Sequence, residues 1–311
     1  MKKEKIPALN KEAIFNKSKT YILKGLRAKE ESDFEEYLLW ASLALELLGK
    51  SVLANIHPSL IADPQHSASL FAASGVLISA DVKTITCNTL FERLAHISYR
   101  FDTNVKKFCN SIAQRRNAEL PSGELSLKAI NLDVWEKKYW HAAQILLECM
   151  EFSLESWLGA NEAKAPKEII KHASQACISA ALIKVEKAKE NFLSQPKKEQ
   201  KTKLKEASTK YTYHYSRLFN LLADQEWEVV CPACTGRAFL AGMLHHEEVI
   251  DEFFSTYEEE VVQDFSAEEF HCPVCDLHLY SYDEIEAVGL ETNHTETSIR
   301  EREYAPEYGN D

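Results

Sequence analysis

Two cysteine pairs and one arginine-centred octapeptide carry the chemistry open to this chain. Cys231-Pro232-Ala233-Cys234 and Cys272-Pro273-Val274-Cys275 each put two thiols on a tight knuckle. Four thiolates satisfy a tetrahedral zinc ion and leave no place for water, so this spacing points to a structural metal. In a reducing compartment such pairs read as metal ligands, with two disulfides as the alternative. His245, His246 and His271 could each replace a thiolate, although the cysteine set is complete without them. The 37 residues between the knuckles are more than such pairs usually enclose, which predicts a strand pair or small insertion there.

The octapeptide is Arg116-Asn117-Ala118-Glu119-Leu120-Pro121-Ser122-Gly123. It sets a cation, an amide and a carboxylate at the end of a helical segment, just before a chain reversal. A guanidinium can grip a phosphate at two oxygens. An arginine at a helix end can also simply face the helix dipole. Asn117 beside it and Ser122-Gly123 after it favour the phosphate reading.

The octapeptide is similar to the active-site motif of the HEPN superfamily, small helical domains of prokaryotic RNases, toxins and phage-defence proteins. That motif runs Arg, a polar residue that is often Asn, about three residues, then His. Arg116 and Asn117 match it, and Pro121 stands at the His position. Leu39-Trp40-Ala41-Ser42-Leu43-Ala44-Leu45-Glu46-Leu47-Leu48-Gly49-Lys50, followed by Ile56-His57-Pro58, resembles the central HEPN helix. The resemblance implies a metal-independent endoribonuclease acting as a toxin or anti-phage defence effector. In that family the RNA 2′-hydroxyl attacks the adjacent phosphorus and leaves a cyclic phosphate. Arg116 would bind the scissile phosphate and stabilise its charge. Asn117 would orient it, and Glu119 would hold Arg116 or set the loop. Pro121 has no titratable group, so this copy is expected to be inactivated or impaired unless His57, His96 or His141 substitutes. The resemblance further implies a homodimer through the bundle and RNA, including tRNA, as substrate. Arg115, Arg100, Lys106 and Lys107 are the expected RNA-backbone contacts. The alternative is an inactive RNA- or protein-binding scaffold.

Charge is unevenly spread. Residues 226–311 hold 22 Asp and Glu against three Arg and no Lys, a net −19, whereas residues 1–225 carry +7, giving −12 in all. The basic body can attract phosphate backbones, and the acidic end would repel them and suits a protein partner. The cysteine module resembles a zinc ribbon. Residues 1–10 are charged with no apolar run after them, which predicts no secretory signal. The apolar run 38–48 contains Glu46 and is too short to span a bilayer, so a cytoplasmic protein without a membrane contact is expected.

The elements that must hold these groups are mainly helical, since nine glycines are few for 311 residues. Residues 10–30 read as one helix, and Ser32-Asp33-Phe34-Glu35 reads as a capping box opening an apolar helix to about Ile56. Glu46 and Lys50, four apart, should pair on its polar face, and His57-Pro58 ends it. Short helices follow near 67–74 and 86–97. Asp102 or Thr103 caps a helix to about Glu119, and Asn131 or Asp133 opens one running to Leu158, stopped by Gly159. Helices are expected from Pro166 to Leu193 and, after Pro196, to about Leu222. Its lysines beside Tyr211, Tyr213 and Tyr215 read as a solvated face, with base stacking as the alternative. Cys87, Cys109, Cys149 and Cys177 read as small buried apolar residues.

Beyond Gln225 the pattern is strand-like, and beyond Leu290 apolar residues run out, which predicts a loose end. The expected architecture is mainly α. A HEPN-like helical bundle covers 1–160 and a helical extension 161–225. A small C-terminal β zinc ribbon covers 226–290, followed by a flexible acidic tail over 291–311.

Overall fold

The computed structural model describes residues 6–119, 127, 130–210, 219–250 and 257–302. The chain divides into two compact units, Met1–Gln175 and Ala176–Asp311. Helices dominate the first, and a five-stranded antiparallel sheet backed by helices makes the second.

In the first unit, α1 (Lys11–Glu30) and α2 (Phe34–Ile56) form a hairpin. Asn10 caps α1 by accepting from Ala13 N at 3.0 Å. Asp33 caps α2 by accepting from Glu36 N at 2.9 Å. The cap is therefore one residue later than a Ser32 capping box requires, because Ser32 takes a left-handed φ of 64° to reverse the chain. Lys11 Nζ reaches Asn55 Oδ1 at 2.8 Å, so the two helices run antiparallel along their full length. By length and composition α2 could cross a bilayer, but 72% of its apolar window is buried inside the protein. It is a core helix, apolar on most sides because neighbours cover most sides.

Around α2 pack α4 (Cys87–Ala95), α5 (Thr103–Glu119) and α6 (Leu132–Glu148), while α3 (Ser67–Ala73) packs on the short helix Pro58–Leu60. Tyr37, Leu45, Leu48, Leu53, Phe91, Phe101, Tyr139, Trp140 and Trp157 are almost wholly buried there. Several of the core's polar groups find partners, although the indole N–H groups of Trp135 and Trp140 are buried without one among the described residues. Tyr139 donates to Ala41 O at 3.0 Å, and Ser18 bridges Ala44 O at 2.8 Å and Trp157 Nε1 at 3.1 Å. Glu136 accepts from Tyr37 at 2.7 Å and from Lys29 at 2.5 Å. Gly49 lies close under α4, and a Cβ there would sit 3.0 Å from Leu94 Cδ1, so that side chain would have to shift by a few tenths of an ångström.

The single helix expected to reach Leu158 is two helices. α6 stops at Glu148, Glu151 adopts φ 59°, and α7 (Leu154–Leu158) starts afresh. Ser156 Oγ accepts from Ser153 N at 3.1 Å and so satisfies a donor at the new start. The reorientation brings Trp157 onto Ser18. α8 (Lys164–Leu193) begins in the first unit and continues into the second.

In the second unit, β1 (Gln225–Val230), β2 (Arg237–Val249) and β3 (Glu258–His271) pair in sequence, all antiparallel. The other edge of β3 carries two strands end to end. These are β4 (His278–Leu279) beside Phe270 and His271, and β5 (Asn293–Glu301) beside Glu258–Ser266. The sheet buries Trp227, Leu240, Phe265, Phe270 and Leu279 against Val185, Ala188 and Phe192 of α8 and Ala207 of α9 (Lys197–Lys210). Register shifts flank Gly242. A Cβ at Gly242 would lie 2.5 Å from Ser266 O and 2.7 Å from the Trp227 ring, so only glycine lets the strands close.

Two expectations fail here. The lysine-rich helix does not run to Leu222. Residues 219–224 are irregular, held by Glu269, which accepts from Asn220 N and Leu221 N at 3.0 Å each. Residues 293–301, expected to be loose, are strand β5. Backbone pairing and cross-strand polar contacts hold it instead of apolar burial. Thr295 donates to Asp264 at 2.6 Å, and Arg300 bridges Glu259 at 2.7 Å and Glu247 at 2.8 Å. Tyr211, Tyr213 and Tyr215 lie outside the described residues.

Candidate functional site

Arg116 lies on the last turn of α5, and its side chain turns inward instead of lying along the surface; the residue is 6% exposed. Nη1 donates to Glu46 Oε2 of α2 at 2.5 Å. Nε and Nη2 both donate to Asn117 Oδ1, at 3.2 and 2.9 Å, and Nη2 also reaches Cys87 Sγ at 3.4 Å. The other Glu46 oxygen accepts from Lys50 Nζ at 2.7 Å, which also donates to Thr84 Oγ1 at 3.0 Å. Three helices thus meet in one buried polar cluster, with Cys87 on the first turn of α4. Among the described residues, two cations share a single carboxylate, so the cluster keeps one surplus positive charge.

The electrostatics follow from this crowding. Burial alone pushes the Glu46 carboxyl up. Lys50, with hydrogen bonds from Cys87, Lys50 and Arg116, outweighs it and holds the carboxyl at about 2. Burial pulls the Arg116 guanidinium down, but the Glu46 bond and charge prevail and raise it. Burial, then the Glu46 charge, push the Cys87 thiol to about 11, so it stays protonated and can donate to the carboxylate.

The other expected site residues spread out. Asn117 is exposed beside Arg116. Glu119 Oε2 accepts from Leu127 N at 3.1 Å. Pro121 lies outside the described residues. Arg100 is paired with Glu148 at 2.6 Å, Lys106 is half-buried, and Lys107 and Arg115 are exposed on α5. No histidine is a hydrogen-bond partner of Arg116, Asn117 or Glu46 among the described residues. His57 instead caps the short helix Pro58–Leu60, and His96 closes α4. Cys87 and Thr84 were not expected in the site. Cys87 read as an apolar filler, and nothing in its local sequence distinguishes it from Cys109.

The four knuckle cysteines form the second constellation. Their Sγ atoms all lie within 4.8 Å of one another, with Cys231–Cys275 at 3.6 Å and Cys234–Cys272 at 3.5 Å. A tetrahedral zinc with Zn–S bonds of about 2.3 Å needs S···S edges of about 3.8 Å, so the donor set fits a metal of that size. The two knuckles are built alike. Cys231 N donates to Gly236 O at 2.9 Å and Cys272 N to Leu277 O at 3.0 Å. Thr235 N returns to Cys231 O at 3.0 Å and Asp276 N to Cys272 O at 2.9 Å. Thr235 and Asp276 both take left-handed φ, 57° and 58°, a strain that such turns accept when a ligand set demands it. All four cysteines are free thiols, not disulfides. Comparison with protein-family models, with curated proteins and with solved structures finds no match.

The Glu46 shift gives a pH prediction. Its folded value, about 2, lies below the ordinary 4.5, so its stabilisation is complete above pH 4.5 and is lost as the pH falls through about 2. Glu46→Gln should therefore be less stable than wild type at pH 7, and the two should converge near pH 2 in denaturant titrations followed by near-UV circular dichroism. An equal gap at both pH values would contradict the ion pair.

Proposed function

We propose that the first unit is a HEPN-type, metal-independent endoribonuclease domain of a toxin or anti-phage defence effector, and that Pro121 leaves this copy without its proton-transfer group. One observation carries the reading. The two segments that resemble the family, α2 with Glu46 and Lys50 and α5 with Arg116 and Asn117, are 70 residues apart and meet in one cluster with surplus positive charge. A phosphate is the anion that this surplus suits, entering beside exposed Asn117.

In this reading Arg116 stabilises the charge that builds on phosphorus as the 2′-hydroxyl attacks, while Asn117 fixes the guanidinium. Glu46 and Lys50 orient Arg116 from behind. Arg115, Lys106 and Lys107 of α5, with Arg100 just before it, meet flanking phosphates. Loss of a general acid–base costs on the order of 100- to 10,000-fold, so the Pro121 protein binds RNA and turns it over poorly. A homodimer through the bundle sets two such clusters on one strand. The second unit holds zinc through Cys231, Cys234, Cys272 and Cys275, is cytoplasmic with its thiols kept reduced, and offers its acidic surface to a protein partner.

A second reading rests on a different observation: the donors of Arg116 are already engaged by Glu46, Asn117 and Cys87. On that reading the cluster is purely structural, and the protein is a binding scaffold.

Pro121→His separates the two. Incubated with tRNA, it should release fragments with cyclic-phosphate ends, and Arg116→Ala in that background should abolish them. No such ends, together with no salt-sensitive RNA binding by the Pro121 protein, would leave only the scaffold. For the metal, cobalt substitution of the reduced protein should give an intense thiolate charge-transfer band that Cys272→Ser weakens by removing one of four thiolates. A band of unchanged intensity in this variant contradicts the four-cysteine site.

A further inference from the structure

The β3–β4 pairing brings together a second set of metal-binding groups, outside the cysteine cluster. His271 ends β3 and lies directly opposite His278 of β4 in the ladder, which places both imidazoles on one face. Asp276 sits on the turn between them. One ring nitrogen of each histidine and a carboxylate oxygen of Asp276 all lie within 4.8 Å of one another. His271 Nε2 is 3.3 Å from Asp276 Oδ1. That is long for a charge-assisted hydrogen bond, typically about 2.7–2.9 Å. It matches the edge between two ligands of a tetrahedral ion whose bonds are about 2.0–2.1 Å.

An unmatched atom points the same way. The ring centroids of His271 and His278 are 3.8 Å apart. Nε2 of His278 is buried and has no hydrogen-bond partner. A buried polar nitrogen left unpaired opposes folding unless something binds it. His278 Nδ1 lies 3.0 Å from Tyr280 Oη. With Nδ1 donating to that oxygen, Nε2 presents its lone pair, the outer-sphere arrangement that orients an imidazole toward a metal.

We propose that His271, Asp276 and His278 form a second metal site, for one divalent transition ion of the zinc type. Two imidazoles and a carboxylate favour such ions over calcium or magnesium. Three protein ligands leave a fourth position for water, and the Asp276 side chain is 91% exposed, so the site opens to solvent. The ion it holds is exchangeable, unlike one enclosed by four thiolates.

The test is metal stoichiometry on the full-length reduced protein, equilibrated with zinc, freed of excess metal and analysed by atomic absorption. Wild type should hold two equivalents. His278→Gln should hold one, and so should Asp276→Asn, whose exposed side chain makes misfolding no explanation. Tyr280→Phe should weaken the second ion about tenfold. In cobalt-substituted protein the thiolate charge-transfer band reports the cysteine site alone and should be unchanged in both ligand variants, so failure of that site would be visible separately. A single equivalent in wild type, or two in both ligand variants, overturns the proposal.

Discussion

Glu46 and Arg116 share an ion pair in the interior of the first unit, and the arrangement of three helices depends on it. Moving two charges out of water is costly, and the attraction between them offsets that cost only when geometry is close and the remaining oxygens and protons are satisfied. Here they are. Glu46 Oε1 takes Lys50, Arg116 takes Asn117, and Cys87 fills the space between. Each bond fixes an element: α2 supplies the carboxylate, α5 the guanidinium, α4 the thiol. The same network that orders the helices also concentrates positive charge at the one place where the family resemblance expects a phosphate.

The second unit solves its stability problem differently. Its sheet buries aromatic side chains against α8 and α9, but its strands are rich in acid and β5 is largely exposed. Two knuckles of matching internal hydrogen-bond pattern bring the β1–β2 turn and the β3–β4 turn together at four Sγ atoms, where a shared metal would lock them. Glu269 is part of the same economy, buried but turned to cap the irregular chain at Asn220 and Leu221.

Local patterns in the sequence disclosed what depends on local geometry. The knuckles were legible because Cys-Pro-x-Cys sets its own turn, and Glu46–Lys50 was legible because residues four apart share a helix face. The Glu46–Arg116 contact was not, since nothing local tells a guanidinium which of many carboxylates it will meet. The break at Glu148 was hidden because residues 149–153 contain neither glycine nor proline. Strand β5 was hidden because its partner residues lie 27 to 43 positions away and its holding contacts are polar. His278 escaped notice, and His271 was weighed only as a substitute for a thiolate, for a related reason: only the strand register places the two opposite each other.

The central claim is that Glu46 and Arg116 act as a coupled unit that builds the site. A double-mutant cycle in stability tests it most directly, with Glu46→Gln, Arg116→Met and the pair together. Glu46→Gln strands two buried cations and should cost about 3–5 kcal/mol, whereas Arg116→Met leaves Glu46 paired with Lys50 and should cost less. The double variant should be destabilised by less than the sum of the two, by well over about 1 kcal/mol. Costs that add to within about 0.5 kcal/mol would contradict the account, because the two charges would then not depend on each other.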